Sequence, residues 1–506
     1  MSLHSSTPRP FPTWAAVLAL AAVLAVWIDL SPIHRLHNSD SLIPVLMSLD
    51  RWTPFFWEQN RFGMLLPLLA LPLRDPFANL LVQVGLRLFV LILSFFLLAR
   101  TVVPRPWWPA VGALTFALFL AGKGAGQVSF QQMQPYYQSM VLALAGLALL
   151  EREGQAAVKA LGGALLALAF WVAPVTLFWL IPLLWLRRVL GLAPRSGMLP
   201  FAISGVAFGG SLLASRLSYY HRSTNLGMAP VAAWPRAWLA MAERAAAYLG
   251  PALLGVLAVL LATAVMLSLR PDGRVRTALA ASLCLLGAAV AELLILGTSG
   301  WVYMNGFRIR FLAATLLAIA TAGPALLCGL LLEGRPERWG RVANALALAV
   351  LLPLTFWLFG WPSPATARAA LARGAGAEEA RAIVADGCTH VLGDYWSVWP
   401  AVFQARVLLH ERGEERKVWG VTFRSTPTWD LWWRRDWRPA RIAVRGGRGG
   451  IEKVRSFYGI PQFGEPGGPA RCAAGRPMVS FRGFRLPDRP RPGGPGVMLP
   501  EEPEIR

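Results

Sequence analysis

Eleven apolar runs follow one another between Thr13 and Gly360, and they constrain the fold of this 506-residue chain more than any other feature. They lie at 13–30, 79–99, 107–122, 137–150, 157–171, 173–186, 199–215, 250–269, 277–297, 311–332 and 342–360. A helix needs about 20 mostly apolar residues to cross a bilayer, and lipid tolerates no unpaired backbone. Charged residues make up 15% of the chain and hydrophobic ones 55%, whereas an ordinary soluble domain carries about 25% charged residues. The expected fold class is a polytopic α-helical membrane protein, with about eleven spans over residues 1–361. A water-soluble enzyme and a disordered chain are both excluded for this part.

Orientation follows from basic residues packed into short loops. Arg100 and Arg105, Arg187 and Arg188, Arg270, Arg274 and Arg276, and Arg335, Arg338 and Arg341 all sit directly against span ends. That pattern expects a multi-pass protein of the cytoplasmic (inner) membrane, with its N-terminus in the cytoplasm and the longer loops outside. An odd number of spans then places the C-terminal part outside as well. The net charge of +22 does not point to nucleic acid, because much of it lies beside spans and no nucleic-acid module is present.

After Trp361 the composition turns to Arg, Gly and Pro. Thr366–Asp386 reads as an amphipathic helix, and Thr389–Leu392, Val418–Phe423 and Arg441–Val444 read as strands. The expectation is a small extracytoplasmic α/β or α+β domain over 362–486 and a disordered Pro-rich tail over 487–506. Cys388 and Cys472 are placed to form a disulfide if this part faces an oxidising compartment.

No HExxH, GxSxG or phosphate-binding loop occurs in the chain, so candidate chemistry has to be sought in the loops. The first outer loop, 31–78, contains Ser31-Pro-Ile-His-Arg-Leu-His-Asn-Ser-Asp40 and then Trp57-Glu-Gln-Asn-Arg-Phe-Gly63. Asp40 is the first carboxylate beyond the first span. There it can serve as a general base toward a hydroxyl or hold a divalent metal with His37, and it is also a candidate N-cap for a helix over Ser41–Leu49. Asp50 and Glu58 are the other nearby acids. The aromatic stretch that follows Asp40 suits interfacial helices.

Asn38-Ser-Asp40 and the string Phe56-Trp-Glu-Gln-Asn-Arg-Phe-Gly-Met-Leu-Leu-Pro67 resemble the GT-C glycosyltransferases. That group includes the protein O-mannosyltransferases, the aminoarabinose transferase of lipid A and the catalytic subunit of oligosaccharyltransferase. The resemblance implies transfer of a sugar from a polyprenyl-phosphate carrier to a glycan, lipid or protein acceptor on the outer face, with membrane lipids as the surrounding partners. The chain departs from the pattern in two places. Asp40-Ser41 stands where the mannosyltransferases carry an acidic pair, and the second outer loop, Lys123–Gln138, has no carboxylate. No cofactor is required by these residues, and a divalent metal is an open alternative.

Gly300–Phe311 forms a second cluster, in which Arg308 and Arg310 alternate with Ile309 at the outer start of a span. Guanidinium forks bind phosphate oxygens through paired hydrogen bonds, and snorkelling toward lipid headgroups is the alternative for such arginines. GT-C enzymes often carry an Arg-Tyr here, and Arg310-Phe311 is the implied counterpart without the hydroxyl. Arg61, Arg87 and Lys123 are further candidates for a carrier phosphate. Tyr136, Tyr137, Asp394 and Trp396 are candidates for acceptor binding, since aromatic faces stack on sugars, although packed indoles explain the Trp396 string equally well. A transporter or flippase, and a non-catalytic part of an envelope polysaccharide assembly, share the same hydropathy.

Overall fold

The computed structural model describes residues 11–57, 62–103, 106–133, 135–152, 155–192, 198–217, 227–269, 275–304, 306, 308–393, 395–422, 442–445, 466–470 and 478–481. They form two compact units, Met1–Gly374 and Ala375–Arg506.

The first unit is helical. Its elements are α1 (Phe11–Asp29), α2 (Ser39–Leu49), α3 (Leu65–Leu69), α4 (Pro76–Val102), α5 (Trp108–Gln132), α6 (Pro135–Leu150), α7 (Ala156–Val172), α8 (Thr176–Val189) and α9 (Leu199–Leu217). They continue with α10 (Trp234–Leu249), α11 (Pro251–Ser268), α12 (Arg276–Gly297), α13 (Gly300–Met304), α14 (Ala313–Leu332), α15 (Glu337–Phe359) and α16 (Pro364–Leu371). Two 3-10 turns, Pro32–Leu36 and Ile309–Leu312, precede α2 and α14.

Each of the eleven apolar runs lies on a helix. Five helical stretches among the described residues are long and apolar enough to cross a membrane: Pro76–Val102, Pro251–Ser268, Arg276–Gly297, Arg310–Leu332 and Glu337–Phe359. Their surfaces match a hydrocarbon surrounding. On α11, Val256, Val259 and Met266 are 56%, 65% and 68% exposed, and on α15 Leu346 and Trp357 are 64% and 74% exposed. Apolar faces of that extent are tolerated where lipid covers them and not in water. The interior is formed by α4, α5, α6, α12 and α14, which pack on one another around fully buried Phe95, Phe96 and Phe116.

Three features go beyond the sequence expectation. The residues 123–132 continue α5 as helix, and α6 starts at Pro135, whose fixed φ and missing N–H suit a first helical turn. The expected second outer loop is thus a tight junction. In the first loop, α2 is packed into the bundle, with ten of its eleven residues buried. Beyond α2, Phe55 and Gly63 form an antiparallel bridge. The Trp52 Nε1–H donates to the Met64 carbonyl at 2.8 Å, and the Gly63 N–H donates to the Trp171 carbonyl at 2.9 Å. Gly63 is required there, because a Cβ would run into the Trp171 ring. The third feature is α10, an amphipathic helix with Ala237, Met241 and Ala245 buried on one face.

The units part after Gly374, beyond the composition change at Trp361, because α16 belongs with the first loop. The Ser363 N–H donates to the Leu30 carbonyl at 2.9 Å, and the Arg368 guanidinium lies 4.7 Å from the Phe77 ring centroid.

The second unit has helices α17 (Ala377–Ala385) and α18 (Tyr395–Glu411) and a five-stranded sheet. The strands are β1 (His390–Gly393), β2 (Trp419–Thr422), β3 (Ile442–Arg445), β4 (Pro466–Ala470) and β5 (Met478–Phe481), in the order β2-β1-β3-β5-β4. β1 runs parallel to β2 and β3, while β5 is antiparallel to β3 and β4. The first three strands fall within a residue of the expected runs. The single amphipathic helix expected over 366–386 is broken into α16 and α17. Gly376 breaks it, at φ +79°, where any Cβ would strike the backbone of Pro400 and Ala401. α18 begins at Tyr395, and Trp399 and Phe403 of that helix are fully buried. The tail 487–506 and Cys472 lie outside the described residues, and Cys388 is buried.

Candidate active site

Asp40 is the one residue of α2 that is not buried. The local sequence explains why its carboxylate is not taken up in capping the helix. Asn38, and not Asp40, is the N-cap: its side-chain oxygen accepts from the N–H groups of Asp40 at 3.0 Å and Ser41 at 3.4 Å. The Ser41 Oγ lies 3.0 Å from the Asn38 N–H and closes a capping box. The expected capping role of Asp40 is therefore filled two residues earlier. Asp40 stands in the first turn, where the helix dipole favours an anion.

The Arg310 Nη1–H donates to the Asp40 Oδ2 at 3.3 Å. These side chains are 23% (Asp40) and 12% (Arg310) exposed and come from positions 270 residues apart. Arg310 is carried by the 3-10 turn Ile309–Leu312, which leads into α14. That turn packs against α10. The chain entering it is held by backbone hydrogen bonds from Ala229 to Thr298 at 2.8 Å and from Gly300 to Gly227 at 2.8 Å. Arg308, at the N-cap of the same turn, is exposed.

The loop before Asp40 is tied to α1 by two histidines. The His34 Nε2 lies 2.6 Å from the Asp29 carbonyl oxygen and 3.2 Å from its Oδ1, so Nε2 carries the proton. Its Nδ1 faces the His37 Nε2 at 2.9 Å. The His37 Nδ1 is buried without a hydrogen-bond partner. Burial, with His34 and Arg87 nearby, holds the His37 pKa well below the usual imidazole value, so the ring is neutral.

This geometry bears on a metal. Both histidines are buried and bonded to each other, and no group of three or more His, Cys, Asp or Glu side chains among the described residues can hold an ion. Among the described residues, the donors around Asp40 do not fit a metal centre.

The remaining sequence candidates have other surroundings. Arg87 is buried in α4 and donates to the Ser41 carbonyl at 3.1 Å and the Gln83 Oε1 at 3.2 Å. Asp50 is the C-cap of α2. Tyr136 and Tyr137 are buried in the first turn of α6, with Tyr136 edge-on to Phe62 at 6.1 Å between centroids. Trp396 is 38% exposed on α18 and stacks edge-on with Tyr395. Glu58, Arg61 and Asp394 lie outside the described residues, and Lys123 lies within α5. Inside the bundle, Leu98, Met140, Trp179, Leu285 and Glu292 border a cavity of about 10 Å³, room for about one water and not for a sugar. There the Thr315 hydroxyl donates to Glu292 at 2.7 Å.

Sequence reasoning singled out Arg87 without its companions. Asn79 and Gln83 precede it at intervals of four on the same helix, and all three are buried. Polar residues recurring every fourth position in an apolar span were the available signal.

Comparison with protein-family descriptions and with curated proteins finds no match. Among solved structures, the chain is similar to ArnT from Cupriavidus metallidurans in its apo state. The likeness covers 93% of this chain and 98% of that one, at 12% identity and a TM-score of 0.35. A likeness that distant does not define a shared site, so function has to be read from the residues of this chain.

Proposed function

We propose that the protein is an integral membrane glycosyltransferase, which moves a sugar from a polyprenyl-phosphate donor to a hydroxyl acceptor at the outer face of the cytoplasmic membrane. The observation that carries the reading is the meeting of Asp40 and Arg310 at 3.3 Å, partly open, across 270 residues of sequence. Glycosyl transfer from a phosphate needs a base for the incoming hydroxyl and a cation for the outgoing phosphate, only a sugar's breadth apart. An anion and a cation from distant segments, both partly exposed, supply that base and that cation once substrate parts them.

Asp40 takes the proton of the acceptor hydroxyl as its oxygen attacks the anomeric carbon. The bond from that carbon to the phosphate oxygen breaks on the opposite face and its electron pair leaves with the phosphate, which inverts the anomeric centre. Arg310, with Arg308 beside it, neutralises the charge that grows on the carrier phosphate through charge-assisted hydrogen bonds. The acceptor class is a glycan, lipid or protein hydroxyl, and the lipid-facing surface of the bundle provides the carrier's way in.

Purified protein incubated with a panel of polyprenyl-phosphate sugars and hydroxyl acceptors should transfer or hydrolyse one of them. Absence of turnover across the panel, in protein that binds neither carrier nor donor, refutes the reading.

A further inference from the structure

On α4, Asn79, Gln83 and Arg87 stand four residues apart, so they share one face of the helix. All three are buried. Their polar atoms run along α2. The Arg87 guanidinium reaches the Ser41 carbonyl at 3.1 Å and the Gln83 Oε1 at 3.2 Å. The Gln83 Nε2 is 2.8 Å from the Asn79 Oδ1, 3.0 Å from the Ser48 Oγ and 3.3 Å from the Pro44 carbonyl. Ser48 donates to the Asn79 Oδ1 at 2.9 Å, and the Asn79 amide donates to the carbonyls of Ala70 at 3.0 Å and Leu73 at 2.8 Å. The ladder therefore touches α2 at Ser41, Pro44 and Ser48, from one end of the helix to the other.

Apolar packing alone does not index α2. Its buried residues include Leu42, Ile43, Val45, Leu46, Met47 and Leu49, and one aliphatic side chain substitutes for another at modest cost. A slip by one residue shifts a helix about 1.5 Å and turns it about 100°, which removes Asp40 from Arg310. Directional bonds oppose such a slip, because it leaves buried donors unpaired. Pro44 adds to the need, since it brings no N–H to the carbonyl four residues before it, that of Asp40.

We propose that Asn79, Gln83 and Arg87 are positioning residues that set the register of α2 and so hold the Asp40 carboxylate against Arg310. The activity arm of the test rests on the glycosyl-transfer reading, and the geometric arm does not.

For the geometric arm, Asp40→Cys and Arg310→Cys are combined in a chain whose four native cysteines are replaced by alanine, then bridged with a short bifunctional methanethiosulfonate. Adding Arg87→Met or Gln83→Leu should lower the bridging yield by about fivefold or more, because the ladder bonds are gone. Arg87→Lys, which can still donate to the Ser41 carbonyl, and Val82→Ala, on an exposed part of α4, should leave the yield unchanged. In the activity arm, with Asp40 and Arg310 intact, Arg87→Met should lower kcat about 10- to 100-fold, as expected for a base displaced by about 1 Å. KM for the donor should stay within about twofold, because the lost bonds do not reach substrate, and Arg87→Lys should restore most of kcat.

Bridging that is indifferent to both ladder variants overturns the proposal. So does an Arg87→Met enzyme with raised donor KM and normal kcat, which would make Arg87 a phosphate ligand. Ladder-dependent bridging in a protein that turns over no donor supports the positioning role and removes the glycosyl-transfer reading alone.

Discussion

The Asp40–Arg310 pair cannot persist through the proposed reaction, and that yields a prediction with a definite sign. An acceptor oxygen, the anomeric carbon and the leaving oxygen have to lie in line between base and phosphate ligand, so the 3.3 Å contact opens when substrate enters. The carrier phosphate thus competes with Asp40 for the Arg310 guanidinium. Asp40→Asn keeps the side chain's shape and removes the competing charge. At 23% and 12% exposure, the pair falls between an exposed one, worth up to about 1 kcal/mol, and a fully buried one. Taking about 1 kcal/mol, the variant should bind polyprenyl phosphate roughly fivefold more tightly than the unaltered chain. Its turnover should fall about 10²-fold or more for want of a base. Arg310→Ala should lose both binding and turnover, because its charge-assisted bonds to phosphate are gone. Carrier affinity is measured by equilibrium titration in lipid nanodiscs, and turnover by transfer of a labelled sugar. Weaker or unchanged carrier binding by Asp40→Asn refutes the competition, and normal transfer by that variant refutes the base.

Three other perturbations have expected outcomes. The Arg187 guanidinium is 4% exposed and holds Glu151 by bonds of 2.6 and 3.1 Å, so Glu151→Gln should cost about 3 kcal/mol by leaving a buried cation unmatched, while Glu151→Leu with Arg187→Leu should cost much less; comparing thermal unfolding in detergent checks this. His37 has a lowered folded-state pKa, so the unfolded chain binds more protons below about pH 6.5, stability falls as pH drops through that value, and His37→Gln should flatten that part of the stability profile. A reporter fused after Ile505 should be active only outside the cytoplasm, given the arginine-dense short loops, and cytoplasmic activity would overturn the expected span number and tail placement together.

The apolar runs were legible because a bilayer imposes length and composition on each helix separately, with no reference to its neighbours. The three short strands at 390, 419 and 442 were legible for a related reason: each is a compact apolar run bounded by polar turn residues. What escaped the sequence depends on partners. α10 reads Trp-Pro-Arg-Ala-Trp-Leu-Ala-Met-Ala-Glu-Arg-Ala-Ala-Ala-Tyr-Leu, too polar for a span, and its helical face becomes evident once α12 and the 3-10 turn before α14 lie beneath it. The stretch 123–132 reads as a loop because Lys123, Gly124 and three glutamines interrupt the hydropathy, yet backbone bonding carries α5 straight through it.

The site itself divides along the same line. Asp40 and Arg310 could each be singled out, one as the first acid beyond a span and the other as part of an Arg-Ile-Arg at a span's start. Nothing in either segment states that the two meet, because their contact is made by the fold between them. The cap shows how local and distant information combine. Asn38, Asp40 and Ser41 are all competent to cap a helix, and composition does not choose among them. The choice falls to Asn38 once Ser41 closes the capping box from within the helix. With the cap formed two residues earlier, Asp40 is the one residue of the helix that is not buried, while α4 grips the carbonyls of Ser41 and Pro44 from the other side. An acid held at both its flanks and paired with Arg310 at its head is a different object from an acid in a loop, and the difference lies in Asn79, Gln83 and Arg87.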